Sequence, residues 1–225
     1  MNNPPHPGIS VIIAAAGQSS RMNLKNGASK QFIEIAEKSV LRRTLEVFDA
    51  SPYTSEIIIS ARESDIDKVK KISKDCNKIK TITAGGATRF ESVKKAAGYI
   101  PPGSDYIAVH DGARCFVSLG DIEKVALKAF ETGAAAAGYK ITDTVKRVES
   151  GVITHTFERK FLYAVQTPQI FLKEHYLKAL ESANGDEPDD CCILERAGYK
   201  VFVVECSRYN IKITDELDLE FFSRN

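Results

Sequence analysis

A chain of 225 residues, 43% hydrophobic and 27% charged, can bury a sizeable core as one large α/β domain or as a domain with an appendage. With 31 basic and 30 acidic side chains the net charge is +1, so no global field draws the molecule to nucleic acid or to an anionic membrane. No apolar run is long enough to cross a bilayer, and the expected location is the cytoplasm.

The opening residues MNNPPHPGIS carry no Lys or Arg and lead into a short apolar run, which reads as a flexible tail rather than a signal peptide. The run Val11-Ile12-Ile13-Ala14-Ala15-Ala16 then breaks at Gly17. A short, wholly apolar segment ending in a Gly turn predicts a strand buried on both faces. The crevice beyond the end of such a strand is where open α/β sheets bind ligands. Here the following loop, rich in small residues, carries Arg21 and Lys30. Small residues let backbone N–H groups approach an anion, and the two long cations can neutralise it, so the pattern predicts a polyphosphate site.

Residues 39–49 (SVLRRTLEVFD) place Val40, Leu41, Leu45 and Phe48 at helical spacing. Residues 56–60 (EIIIS) predict a second buried strand, 65–74 an amphipathic helix with a solvated lysine face, and 78–83 (KIKTIT) a third strand. Gly85-Gly86 then turns into a helix over 88–97, followed by a strand at 106–110 with Asp111 just past its end. A helix at 121–132 and a strand of small residues at 134–139 continue the alternation. The fold class predicted is α/β: a Rossmann-like, doubly wound, mostly parallel sheet flanked by helices. The loops at Gly17, Gly86 and Asp111 should converge in one cleft, because right-handed crossovers bring the strand ends to one edge.

The alternation stops at ITDTVKRVESGVITHTF (141–157), where two β-rich runs flank Glu149-Ser150-Gly151, a hairpin signal. No helix follows to cover this ribbon. Since unpaired edges are seldom left bare, it is read as a protruding dimerisation arm over about 139–160, with a solvent-facing flap as the alternative. The whole chain, 1–225, is taken as a single domain bearing that arm. Beyond it come a short strand at 169–172, a helix at 173–182, and a helix through Arg196 capped by Asp189 or Asp190. Strands at 200–204 and 210–213 and a final helix at 215–222 complete the pattern.

The five cysteines form no CxxC pair and the four histidines lack zinc-ligand spacing, so reduced thiols are expected. The Walker loop, the GxGxxG fingerprint and the kinase motifs are absent. Asp111 follows a buried strand, where a carboxylate is costly unless it serves a ligand or ion, so it predicts a metal or ribose contact. His110 beside it reads as a packing residue.

In order, the chain carries AAAGQSSRM (14–22), SKQF (29–32), GGATRFESV (85–93), HDGAR (110–114), DTVKRV (143–148), TPQIF (167–171) and NIKIT (210–214). This set resembles the cytidylyltransferases of the nucleoside-diphosphate-sugar pyrophosphorylase superfamily and, among them, the 2-C-methyl-D-erythritol 4-phosphate cytidylyltransferase family. The resemblance implies that CTP and 2-C-methyl-D-erythritol 4-phosphate give 4-diphosphocytidyl-2-C-methyl-D-erythritol and pyrophosphate, with Mg²⁺. It implies that Arg21 and Lys30 stabilise the transition state with Lys212 on the phosphates beside them, and that Ala14, Ala15, Gly17, Gly86, Arg89, Ser92 and Asp111 receive CTP. Thr144, Arg159 and Thr167 would grip the second substrate, Arg159 and Thr144 reaching the site of the other subunit of a homodimer. Alternatives are a ribitol-5-phosphate cytidylyltransferase, whose relatives usually read Ala-Gly-Gly where this chain has Ala15-Ala16-Gly17, and a non-catalytic nucleotide-binding module. The chain departs from the family's usual residues at Ser19, Ser20, Ala87, Cys115 and Tyr209, which touches affinity rather than the reaction.

Overall fold

Strand β1 (Ile9–Ala15) is the axis of the sheet, buried on both faces as its apolar run predicts. In the computed structural model, which describes residues 6–17, 29–215 and 217–218, Val11, Ile13 and Ala15 join one core cluster and Ile12 another. The period-two alternation of a strand accounts for this split. Helix α1 (Val40–Ala50), capped by the Ser39 hydroxyl, supplies Leu41, Leu45 and Phe48 to the first cluster. Val69 of α2 (Ile66–Ser73) and Ile122, Val125 and Ala129 of α4 (Leu119–Thr132) complete that layer. The second cluster packs Val93 and Ala96 of α3 (Arg89–Ala97), Tyr176 and Leu180 of α5 (Lys173–Ser182), and Ile193 and Leu194 of α6 (Asp190–Arg196). Helices therefore cover both faces of the sheet.

The remaining strands are β2 (Glu34–Ile35) and β3 (Lys38–Ser39), a small hairpin before α1, then β4 (Thr54–Ala61), β5 (Ile79–Ala84), β6 (Tyr106–Asp111) and β7 (Ala134–Lys140). After them come β8 (Lys146–Glu149), β9 (Val152–Thr156), β10 (Tyr163–Leu172) and β11 (Phe202–Glu205). The seven-stranded sheet runs β11–β7–β10–β6–β1–β4–β5. β1 pairs in parallel with β4 and β6, β4 with β5, and β11 with β7. Within this sheet only β10 is antiparallel to its neighbours, so the sheet is mostly parallel and doubly wound.

Element ends shift by a residue or two in several places, and three differences from the sequence reading bear on the site. β10 begins at Tyr163 rather than Gln169, because its first residues pair with the far end of β7. Residues 210–213 form no strand. Side chains hold them instead: the Gln166 amide and the Arg114 guanidinium donate to the Asn210 carbonyl at 3.0 and 2.9 Å, and the Asn210 amide donates to the Thr167 carbonyl at 2.8 Å. Asp111 is the last residue of β6 rather than the first beyond it. The loop carrying Arg21, Ser19 and Ser20, and most of the helix expected at 215–222, lie outside the described residues.

β8 and β9 pair only with each other, and every residue of both is exposed. Their turn places Ser150 at φ +50° and Gly151 at φ +81°, the left-handed pair that a two-residue hairpin needs. Val148, Val152 and Ile153 stand in the open on this ribbon.

Candidate active site

The carboxyl ends of β1, β4, β5 and β6 open onto a cleft of about 390 Å³. Ala14 and Gly17 from the end of β1, Gly85, Gly86 and Arg89 from the β5–α3 turn, and Asp111 from β6 all line it. Lys30 and Lys212 enter from opposite ends of the sequence. The predicted convergence of the Gly17, Gly86 and Asp111 loops is thus present. Ala15 is different: its side chain belongs to the core, and Ala16 takes the place on the cleft wall.

The Gly85–Gly86 turn shapes one wall. A Cβ on Gly85 would lie 2.5 Å from the Ala16 Cβ and 2.7 Å from the Ser92 hydroxyl, so the chain can pass there only without a side chain. The Ser92 hydroxyl accepts the Gly86 N–H at 3.0 Å and donates to the Thr88 carbonyl at 2.8 Å. Thr88 caps α3 by accepting the Glu91 N–H at 3.1 Å. Ser92 therefore ties the glycine turn to the first turn of the helix, and its neighbour Arg89 projects into the cleft one helical turn away.

Asp111 is the floor. Its Oδ1 receives Arg89 Nε at 3.1 Å, and its Oδ2 faces Lys212 Nζ at 2.9 Å and Arg114 Nε at 3.5 Å. Desolvation would raise this carboxyl, but the charges of Arg89, Lys212 and Arg114 outweigh it and hold the group well below the usual carboxylate range. Asp111 is consequently ionised at any working pH. Lys30 sits at the start of a 3₁₀ turn (Lys30–Phe32) capped by Ser29, and its ammonium donates to the Ile213 carbonyl at 2.6 Å. That bond explains why the NIKIT segment matters: it steadies Lys30 through Ile213 while presenting Lys212 to Asp111.

His110 is fully buried, as the packing reading expects. Its ring nitrogens contact the Thr167 hydroxyl at 3.1 Å and the Arg114 carbonyl at 3.2 Å. Burial drives its pKa down to about 3, so it is neutral and no proton donor at neutral pH. The Thr167 hydroxyl also accepts the Asp111 N–H at 3.1 Å and is 3% exposed, so it props the floor from beneath. Thr144 and Arg159 lie at the base of the arm and do not line the cleft of their own chain. The Arg159 guanidinium donates to the Thr142 carbonyl.

Several residues of the site escaped the sequence reading. Arg114, which holds Asp111 without lining the cleft, is the third cation on that carboxylate, and its spacing of three from it was the available signal. Gln31, Arg62 and Thr214 line the cleft; Gln31 and Thr214 lie inside the SKQF and NIKIT motifs but were given no role, and nothing in its local pattern marks Arg62. Asp189 caps α6 by accepting the Cys192 N–H at 2.9 Å, as expected. Asp190 does something else, binding Arg89 Nη1 at 2.7 Å.

A divalent cation fits this donor set in one way. Among the described residues no group of three or more His, Cys, Asp or Glu side chains could hold a metal by itself. Asp111 is an ionised carboxylate on the cleft floor and Glu63 also lines the cleft, which suits Mg²⁺ arriving with a polyphosphate, since that ion commonly takes one or two carboxylates plus phosphate oxygens.

The family described as IspD, 2-C-methyl-D-erythritol 4-phosphate cytidylyltransferase, matches residues 9–223. A 2-C-methyl-D-erythritol 4-phosphate cytidylyltransferase from Halalkalibacterium halodurans is 38% identical over 218 residues, covering 94% of each chain. One from Bacillus cereus is 39% identical over 214 residues, covering 93% of each. Among solved structures, a 4-diphosphocytidyl-2C-methyl-D-erythritol synthase from Anaerococcus prevotii superposes with a TM-score of 0.86 at 30% identity, over 97% of this chain and 95% of that one.

Proposed function

The chain belongs to the 2-C-methyl-D-erythritol 4-phosphate cytidylyltransferase family, and from that premise we propose how its cleft performs the family's reaction. It joins CTP to 2-C-methyl-D-erythritol 4-phosphate, giving 4-diphosphocytidyl-2-C-methyl-D-erythritol and pyrophosphate in non-mevalonate isoprenoid synthesis. A phosphate oxygen of the alcohol substrate attacks the α-phosphorus of CTP. The new O–P bond forms as the bond to the β-phosphate bridging oxygen breaks, and pyrophosphate leaves with that electron pair. The attacking phosphate is already anionic, so no general base is required, and the neutral, buried His110 is consistent with that.

The obstacle is the meeting of two polyanions. At ~4 Å two unit charges repel by about 4 kcal/mol at an effective dielectric of 20. Lys30 and Lys212 are placed to offset this, with Arg21 from the adjoining loop as the third cation. Removing one such stabiliser typically costs ~10²–10³ in turnover. Gly86, Arg89 and Ser92 receive the nucleoside, and Ala14, Ala16 and Gly17 border the phosphates. Asp111 would hold Mg²⁺ brought in on the triphosphate or contact the ribose; bound there, the ion neutralises phosphate charge.

The chain acts as one unit with an arm over about 139–160, and the arm forms a homodimer. Its exposed Val148, Val152 and Ile153 are the apolar surface such pairing would bury. Thr144 and Arg159 then grip the second substrate in the partner's cleft, which suits their not lining their own; Thr167 supports the site from beneath the Asp111 floor. The location proposed for the enzyme is the cytoplasm, where CTP is available.

The observation that carries this reading is the convergence of Lys30, Lys212 and the Gly85–Gly86 turn around the ionised Asp111. The test is pyrophosphate release from CTP with 2-C-methyl-D-erythritol 4-phosphate or ribitol 5-phosphate, each with and without Mg²⁺. Release with the first and Mg²⁺ supports it. Release only with ribitol 5-phosphate, or CTP binding without turnover, would overturn it.

A further inference from the structure

Asp190 is a buried carboxylate whose cost α6 does not justify. It is 1% exposed, and the helix is already capped by Asp189. An ionised group taken out of water is expensive, and an apolar residue of similar size often serves stability as well or better. Both Asp190 oxygens are nevertheless engaged. Oδ1 accepts the Tyr176 hydroxyl, itself fully buried on α5, and Oδ2 accepts Arg89 Nη1 at 2.7 Å across 101 residues of sequence.

Arg89 thus spans two carboxylates with separate nitrogens, Nη1 on Asp190 and Nε on Asp111. A guanidinium facing a single carboxylate tends to close on it with two parallel bonds. Without Asp190, the Arg89 fork would be released to do that on Asp111, competing with Lys212 and Arg114 for the same group. We infer that Asp190, backed by the Tyr176 hydroxyl, is a positioning residue that holds the Arg89 guanidinium against the cleft wall in the orientation that receives CTP. The inference rests on the reading of the cleft as the CTP site. Asp190 itself does not touch the nucleotide; it acts through Arg89.

The test is equilibrium binding of CTP by calorimetry, with steady-state kinetics, on the full chain and on Asp190→Asn, Tyr176→Phe, Arg89→Gln and the Asp190→Asn/Arg89→Gln double variant. Loss of one charge-assisted contact should raise the CTP dissociation constant about tenfold in Asp190→Asn, with KM for CTP rising in step and kcat changing less. Tyr176→Phe should move the same way by a smaller factor. In the Arg89→Gln background, Asp190→Asn should weaken binding little further, because coupled residues are not additive. A purely structural role would lower the melting temperature and leave CTP affinity and KM unchanged, or give additive losses in the double variant; either result overturns the inference. Should Asp190→Asn fail to fold, Tyr176→Phe decides, since it removes one hydroxyl and keeps the ion pair. Wild-type failure to bind CTP would bring down the reading of the cleft and this inference with it. Wild-type binding with unaltered variants would bring down the inference alone.

Discussion

Replacing Asp111 by Asn is expected to destabilise the protein and end turnover together. The carboxylate is 7% exposed and is the common anion of Arg89, Lys212 and Arg114 at 3.1, 2.9 and 3.5 Å. At an effective dielectric of 20, an opposite charge at ~3 Å contributes about 5 kcal/mol of attraction, most of which desolvation cancels. Breaking a buried pair by removing one partner costs about 3–5 kcal/mol, and here Lys212 and Arg114 lose their carboxylate while Arg89 keeps only Asp190. For a chain of this length each kcal/mol lowers the melting temperature by roughly 2–4 °C, so a fall of about 6–20 °C is expected in scanning calorimetry. Inorganic tripolyphosphate without metal should recover more of that loss in the variant than it adds to the wild type, since it returns an anion to the cations that lost the Asp111 carboxylate. A melting temperature within about 2 °C of wild type would refute the reasoning, as the three cations would then not depend on Asp111.

Further outcomes follow from other parts of the site. His110 is neutral when folded, with its pKa at about 3 against an ordinary 6.5, so the unfolded chain binds the extra proton. Its share of stability is complete above pH 6.5 and is lost as the pH falls toward 3, at about 1.4 kcal/mol per unit. Asp111 adds to the loss only below its ordinary 3.8. Urea unfolding of His110→Gln across that range should show a flatter slope than wild type. Gly85→Ala should weaken CTP binding about tenfold or more by calorimetry, because the added methyl collides with Ala16 and the Ser92 hydroxyl. An unchanged affinity would remove the turn from the site. Arg159→Ala and Lys30→Ala should each be nearly inactive, yet mixing them under subunit exchange should restore about a quarter of wild-type activity, from the one heterodimer site with both residues intact. No recovery would count against an arm that serves the neighbouring subunit.

Much of the fold was legible because it rests on local rules. The apolar run of β1, the helical spacing of Leu41, Leu45 and Phe48, and the Ser150–Gly151 turn each state their structure within a few residues. The site was legible where a motif sits at a strand end, as with Gly86 and Asp111. What stayed hidden depends on partners distant in sequence. The segment around Asn210 reads as a strand from its alternation, but Gln166 and Arg114 occupy its backbone, and only the folded chain brings them there. Asp190 reads as a cap because Asx residues before a helix usually are; its true partner, Arg89, lies 101 residues earlier. Ala15 falls in the nucleotide motif, yet the strand's alternation turns its side chain inward and gives Ala16 the cleft.

The most direct measurement is a crystal structure of this chain with CTP and Mg²⁺. The expected result places the α-phosphate within salt-bridge reach of Lys30 and Lys212, with the cytosine against Gly86 and Ser92. A triphosphate bound away from both lysines would contradict the central claim that their paired charges bring the two anionic substrates together.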